Sequence, residues 1–227
     1  MKRLFWLSIS GASFVGFVFF TYLVKKDLFR QLDFNIAVKI KDNVPLRLDP
    51  LFSLASTVGS VFIISLVLIA VIWKMPLRNK LITLFLYFGA QGLEYFLKMR
   101  LRQPGPPFQF QRHFTQTYFD KDYVQQGYSY PSGHSFRAIF IALLIIYFAV
   151  KKWGITLRSI VIGGVAAAGA ATIMIGKMVL GAHWLTDIIG GSILAISMVG
   201  IVISLIPSSD QHDQVVTHER QNKSPQQ

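Results

Sequence analysis

The stretch WLTDIIGGSILAISMVGIVISLI, residues 184–206, sets the class of this protein. As a helix it rises about 34 Å, enough to cross ~30 Å of hydrocarbon. Its single ionisable residue is Asp187, close to its start. Working outward, five further segments have the length and flanking charge of spanning helices: residues 4–24, 51–73, 81–97, 131–150 and 160–180. The expected fold is therefore all-α, an integral membrane bundle of six transmembrane helices occupying residues 1–206. A polar, Gln-rich tail follows at 207–227 and is expected to be disordered. Composition agrees with a bilayer environment: 52% of the 227 residues are hydrophobic, 15% are charged, and the mean hydropathy is +0.46. Such values exclude a water-soluble surface, disorder over the whole chain, a collagen-like repeat and a coiled coil.

The segments are joined unevenly. Lys2 and Arg3 precede the first one, but its end, Phe19-Phe20-Thr21-Tyr22-Leu23-Val24, offers no small-x-small cleavage site, so an uncleaved anchor is expected. Two connections are long, residues 25–50 and 98–130. The first mixes Leu32, Phe34, Ile36, Val38 and Ile40 with charges, as an interfacial helix or a short strand would. The second holds Pro104, Gly105, Pro106, Pro107 and Gly127 and reads as irregular loop. Six crossings put both termini on one side and both long loops on the other. Lys and Arg are nearly equal in number on the two sides, but they are densest in the short turns, which places those turns and the termini in the cytoplasm. The chain is thus expected in the cell membrane, with its long loops extracytoplasmic.

The formal charge of +12 points to an anionic partner: nucleic acid, an anionic membrane surface or a phosphorylated substrate. Immersion in a membrane disfavours nucleic acid. With no cysteine in the chain, disulfides, thiolate nucleophiles and Cys-ligated metals are excluded. Ionisable residues inside spans cost about 2.5 to 3.5 kcal/mol each to insert, so Glu94, Lys98, His134, Arg137, Lys177, His183 and Asp187 are functional candidates. All seven fall at the ends of the third to sixth segments that face the second long loop. Tyr130-Pro131-Ser132-Gly133-His134-Ser135 has the Pro and Ser of a helix start, whose free amides bind phosphate. In Gly181-Ala182-His183-Trp184-Leu185-Thr186-Asp187 the His and Asp are four apart, so the carboxylate can orient the imidazole and raise its basicity. An imidazole so held can attack phosphorus. Taken singly, a capped helix start and an intramembrane polar pair are the bland alternatives for these stretches; their occurrence on consecutive helix ends leaves structure alone as a poor account.

These residues resemble the type 2 phosphatidic acid phosphatases, integral membrane lipid phosphatases whose site chemistry is shared with the vanadium haloperoxidases. The family pattern is Lys-x6-Arg-Pro, then Pro-Ser-Gly-His, then Ser-Arg-x5-His-x3-Asp. The second motif is intact at residues 131–134, and the third keeps His183 and Asp187 in register. The resemblance covers the six-span layout and residues 98–191, while the first 50 residues and the tail carry none of it. Two departures stand out. The arginine expected seven residues after Lys98 is Gly105, and Ser-Arg of the third motif is Gly176-Lys177. Lys177 keeps the charge but loses the bidentate fork. Arg102 and Arg137, each about one turn from a motif residue, are candidate replacements; for Arg137 an ion pair with Glu94 is an equal alternative.

The resemblance implies a phosphatase acting on a membrane lipid, with a polyprenyl pyrophosphate, phosphatidylglycerophosphate or phosphatidate as candidate substrate. It implies His183 as nucleophile, Asp187 orienting it and His134 protonating the leaving oxygen, with Lys98, Lys177, Ser132 and the Gly133 amide at the phosphate. No metal or other cofactor is expected. The two missing arginines also fit a lipid-phosphate binding or transport protein with a degenerate site, and transfer to an acceptor other than water is a third reading. Trp6, Trp73, Trp153 and Trp184 sit near segment ends as interfacial anchors. The Gly and Ala run from Gly163 to Ala171 reads as close helix packing. His113 reads as a solvated loop residue, and His212 and His218 in the tail carry no argument. The oligomeric state is not indicated.

The orientation is testable by cysteine labelling of intact cells, since the chain has no native cysteine. Gln125→Cys should react with a membrane-impermeant thiol reagent and Asn222→Cys should not; the opposite pattern reverses the topology.

Overall fold

The computed structural model describes residues 2–112 and 128–206. The tail 207–227, most of the second long loop, and with them His113, His212 and His218, lie outside the described residues. Among those residues there are eight α-helices and no strand: α1 (Lys2–Lys25), α2 (Arg30–Asn43), α3 (Asp49–Val58), α4 (Val61–Ile72), α5 (Leu77–Leu101), α6 (Gly133–Trp153), α7 (Leu157–Val179) and α8 (Leu185–Leu205). The all-helical expectation therefore holds. The count of crossings is less uniform than the sequence suggested. Helices α1, α6, α7 and α8 are long and apolar enough to cross a bilayer, and α3 with α4 makes a fifth if the bent pair is one span. Helix α5 has the length, 25 residues, but carries Arg78, Lys80, Glu94, Lys98 and Arg100.

Helices α6 and α8 form the centre, with α7 against α6, α1 against α8, and α4 and α5 closing the remaining sides. Their burial follows: 61% of the apolar stretch of α6 and of α8 is buried, against 17% for α1 and 22% for α7. The outer faces of α1, α5 and α7 present large apolar side chains such as Val15, Phe85 and Val165, which a hydrocarbon environment solvates at no cost. Association in that environment relies on close packing rather than on apolar burial. At the α1–α8 contact, Gly200 lies directly against Ser10 and the Trp6 carbonyl, where an added Cβ would come within 2.9 and 3.0 Å. Ser10 Oγ donates to the Ser197 carbonyl at 2.7 Å, and Ser197 Oγ to the Ser10 carbonyl at 3.1 Å. The Gly-Ala run of α7 is in part lipid-facing: Gly164 and Gly169 have open space beside them, while Gly163 packs on Ile146.

Two local features differ from a simple reading of the sequence. The segment 25–50, open between helix and strand, is helical over α2, and its Asp33, Ile36, Ala37, Ile40 and Lys41 share one face. The segment 51–73, expected as one straight span, is α3 and α4 meeting at 58°. Ser60 is extended at the break, so the helical ladder is interrupted and carbonyls are released inside an apolar bundle, where each unpaired one costs about 1–3 kcal/mol. The Gly59 carbonyl finds its partner in Arg137 Nε on α6, at 3.1 Å.

The α1–α8 packing predicts that Gly200→Val lowers stability by about 1–3 kcal/mol through overpacking, whereas Gly164→Val stays within about 0.5 kcal/mol of the parent. Thermal unfolding in detergent micelles checks the contrast; equal effects would show that the contact is not close-packed.

Candidate active site

The site is assembled where α5, α6, α7 and α8 reach the same level. Helix α7 ends in a Schellman turn: the Gly181 amide donates to the Met178 carbonyl at 3.1 Å and the Ala182 amide to the Lys177 carbonyl at 2.9 Å. Gly181 takes φ +72°, and a Cβ there would collide with the Phe110 carbonyl, so both backbone conformation and space require glycine. The turn breaks the chain between Lys177 and His183 and folds it back, so that the His183 amide reaches the Lys177 carbonyl at 3.3 Å. Without this break the two side chains would lie nearly two helical turns apart.

Helix α8 then starts with Trp184 as its N-cap. Trp184 has no side-chain oxygen, so the unpaired first amides must be satisfied from elsewhere. Asp187 Oδ2 accepts from the Trp184 amide at 2.9 Å and lies 3.2 Å from His183 Nδ1. With Nδ1–H donating to this carboxylate, Nε2 is the ring nitrogen left for chemistry. Both residues are buried, Asp187 completely. Asp187 Oδ1 is buried and accepts no hydrogen bond among the described residues. The Thr186 amide and hydroxyl donate to Asp33 of α2, at 3.0 Å to Oδ1 and 2.6 Å to Oδ2. Burial pushes the Asp33 carboxyl up from its usual value, and the Thr186 bonds oppose that shift. Two carboxylates at this end of α8 also meet the positive end of its dipole.

Facing this turn is the start of α6. Ser132 is its N-cap, and Ser132 Oγ accepts from the Ser135 amide at 3.3 Å. The Ser132 amide donates to the Asp187 carbonyl at 3.0 Å, tying the two helix starts together. His134 follows, with its ring centroid 6.5 Å from that of His183. Gly133 lies against the Glu94 carboxylate so closely that any Cβ would overlap it. Glu94 in turn pairs with Lys98 Nζ at 2.8 Å.

The structure thus brings His183, Asp187, His134, Ser132, Gly133, Lys98 and Lys177 to one buried level. The two candidate arginines are placed elsewhere. Arg102 ends α5 in a left-handed conformation, φ +51°, with its side chain exposed. Arg137 is buried, but its guanidinium serves the Gly59 carbonyl and Gln91 Oε1 rather than Glu94. The i,i+4 spacing of Glu94 and Lys98 carried the signal for their pairing. Asp33 and Arg112 carried no comparable signal. Arg112 holds Asp49 at 2.8 Å and the Val44 carbonyl at 2.9 Å, and its amide donates to the Leu180 carbonyl at 3.1 Å, fastening α2 over the turn. A small cavity beside His183 is lined by the shared face of α2 together with Phe110, Trp184 and Leu185. Among the described residues, no three of His, Asp and Glu are grouped as metal ligands.

A helical membrane bundle with an oriented histidine opposite a second histidine and a helix N-terminus defines a class: helical membrane proteins with a buried two-histidine site. Residues 79–210 match the PAP2 superfamily, and the chain belongs to that family. Its fold is similar to the first transmembrane PAP2-type phosphatidylglycerolphosphate phosphatase of Bacillus subtilis, with TM-score 0.68 and 19% identity over 92% of this chain and 97% of that one. It is also similar to LpxE of Aquifex aeolicus, with TM-score 0.55 and 21% identity over 77% and 94% of the two chains. No curated protein matches by sequence.

Arg137→Leu removes the partner of the Gly59 carbonyl and should cost about 1–3 kcal/mol, read as a lower denaturant midpoint in mixed micelles. Parental stability would mean that the bend between α3 and α4 is held by something else.

Proposed function

We propose that this protein hydrolyses a phosphate monoester or pyrophosphate on a lipid whose tail remains in the bilayer, through a phosphohistidine. The observation that carries the reading is the buried His183–Asp187 pair facing His134 across 6.5 Å between ring centroids. His183 Nε2 attacks phosphorus, the P–O bond to the lipid breaks, and His134 gives its proton to the departing oxygen. Water then attacks the phosphohistidine while His134 takes back a proton, and inorganic phosphate leaves. Lys98, Lys177, Ser132 and the Gly133 amide stabilise charge on the transferring group. No metal is needed, since ammonium groups and a helix N-terminus supply the positive field.

In this reading α5 and the bent α3–α4 pair complete six crossings, with the termini cytoplasmic and the site at the extracytoplasmic face of the cell membrane. Polyprenyl pyrophosphate, phosphatidylglycerophosphate and phosphatidate remain the candidates, and the Bacillus subtilis protein of similar fold, a phosphatidylglycerolphosphate phosphatase, supports the second of them. Gly105 and Lys177, where the motif has arginines, favour one competing reading: a protein that binds lipid phosphates without hydrolysing them.

Release of inorganic phosphate from the three lipids in detergent separates these readings. His183→Ala should abolish release, and EDTA should leave the parent active. Lys177→Met should lower turnover about 10- to 100-fold, the worth of one charged contact, and Lys177→Arg should keep or raise it. Release by His183→Ala at the parental rate would overturn the mechanism; lipid binding by a parent that releases nothing would favour the binding protein.

A further inference from the structure

We propose that Asp33 is a positioning residue for His183: from α2 it caps the first turn of α8, and so fixes the carboxylate that orients the imidazole. The inference rests on the phosphatase reading, in which His183 attacks. Asp33 lies outside residues 79–210, the part of the chain that matches the family, and it is 153 residues from Thr186. It is nonetheless buried at 7% exposure, and its two oxygens take the Thr186 amide and hydroxyl separately.

The geometry explains why a residue of another helix is needed. A helix start usually satisfies the amide of its second or third residue with the side chain of its own N-cap. Here the N-cap is Trp184, which has nothing to offer, and the third helical residue, Asp187, is committed to the Trp184 amide and to His183. The Thr186 amide would be left without a partner in a buried turn; Asp33 supplies it. Thr186 is bonded in sequence to Asp187, and both are nearly inaccessible. Asp187 bonds through Oδ2 alone, so its own contacts fix the carboxylate weakly against rotation. What sets its direction is the backbone of the first turn, held on one side by Ser132 and on the other by Asp33. Arg112, gripping Val44 and Asp49, keeps α2 seated while Asp33 does this.

Two kinds of measurement test the assignment on the full chain in detergent micelles. The first is steady-state kinetics on whichever of phosphatidylglycerophosphate, polyprenyl pyrophosphate and phosphatidate the parent turns over fastest. Asp33→Ala and Thr186→Val should each lower kcat about 10- to 100-fold with KM within about threefold, as expected for lost alignment rather than lost binding. Asp33→Asn, which keeps one acceptor, should fall between. The double variant should be no slower than Asp33→Ala alone, because Asp33→Ala already removes both the amide and the hydroxyl contact, whereas Thr186→Val removes only the second. If Asp33→Ala does not stay monodisperse, Asp33→Asn and Thr186→Val carry the test. The second is a spectrum of protein labelled with ¹⁵N-histidine, in which the ring signals that disappear in His183→Gln should move in Asp33→Asn whether or not the parent turns over. Parental kcat in both Asp33→Asn and Thr186→Val, additive losses in the double variant, or unmoved His183 signals overturn the assignment. A parent that releases no phosphate, with His183 signals that still move, removes the phosphatase reading and keeps the positioning contact.

Discussion

The first amides of α8 are the constraint on which the rest of the structure turns. They emerge in a buried place, beside the residue that must hold His183, and their own N-cap residue cannot satisfy them. Asp187 takes one and, with the same oxygen, the imidazole; Asp33 takes another. The Asp187 carbonyl accepts from Ser132 and so sets where α6 begins. A single turn of helix therefore fixes the histidine, the Pro-Ser-Gly-His helix start and the seat of α2. Each of these bonds involves a charged or backbone group in an apolar setting, where leaving one unmade costs about as much as an ordinary core truncation.

The same rule explains the bent second segment. In hydrocarbon a helix breaks only where another part of the protein satisfies the released backbone, and Arg137 does this at Gly59. Once bent, α3 lies against α7 so closely that a Cβ on Gly176 would stand 3.2 Å from the Phe52 carbonyl. Gly176 is the position where the family motif has serine. A Cβ on Gly59 would meet His134 Cδ2 at 3.0 Å, so the bend also packs against the second histidine. A side chain at 176 would therefore press on α3, and glycine there suits the close approach of the two helices.

What the sequence disclosed, and what it concealed, divides along contact distance. The helical class followed from composition and segment length, because a bilayer reads both directly. The His183–Asp187 pair and the Pro-Ser-Gly-His start were legible because their geometry is local, four residues on one helix and one capped turn. Lys98 with Glu94 was equally local, yet the buried charges invited pairing Glu94 with Arg137 instead. The Gly59-Ser60 pair is a local kink signal that a reading by segment length and charge passes over, and the arginine that satisfies the released carbonyl lies on another helix. Asp33 was hidden by distance: on α2 it reads as one more charge of an interfacial segment, and only the packed fold brings it to Thr186.

Gly105 and Lys177, where the family motif has arginines, have a consequence for how orientation is achieved. At position 105 a Cβ would stand 3.3 Å from that of Ser129, and the Ser129 amide already donates to the Gln103 carbonyl at 3.1 Å. The loop packs tightly around this glycine, so a side chain here would press on Ser129. The cations proposed for the phosphate, Lys98 and Lys177, are ammonium groups, and Lys98 pairs with Glu94 at 2.8 Å. An ammonium attracts a phosphoryl group without fixing its rotation, whereas a guanidinium fork does both. On the proposed reading, direction must then come from groups that are themselves rigid: the amides at the start of α6 and the imidazole held by Asp187. A site that has given up its forks depends more heavily on the alignment of its nucleophile, and in this chain that alignment reaches back through Thr186 to a carboxylate on α2.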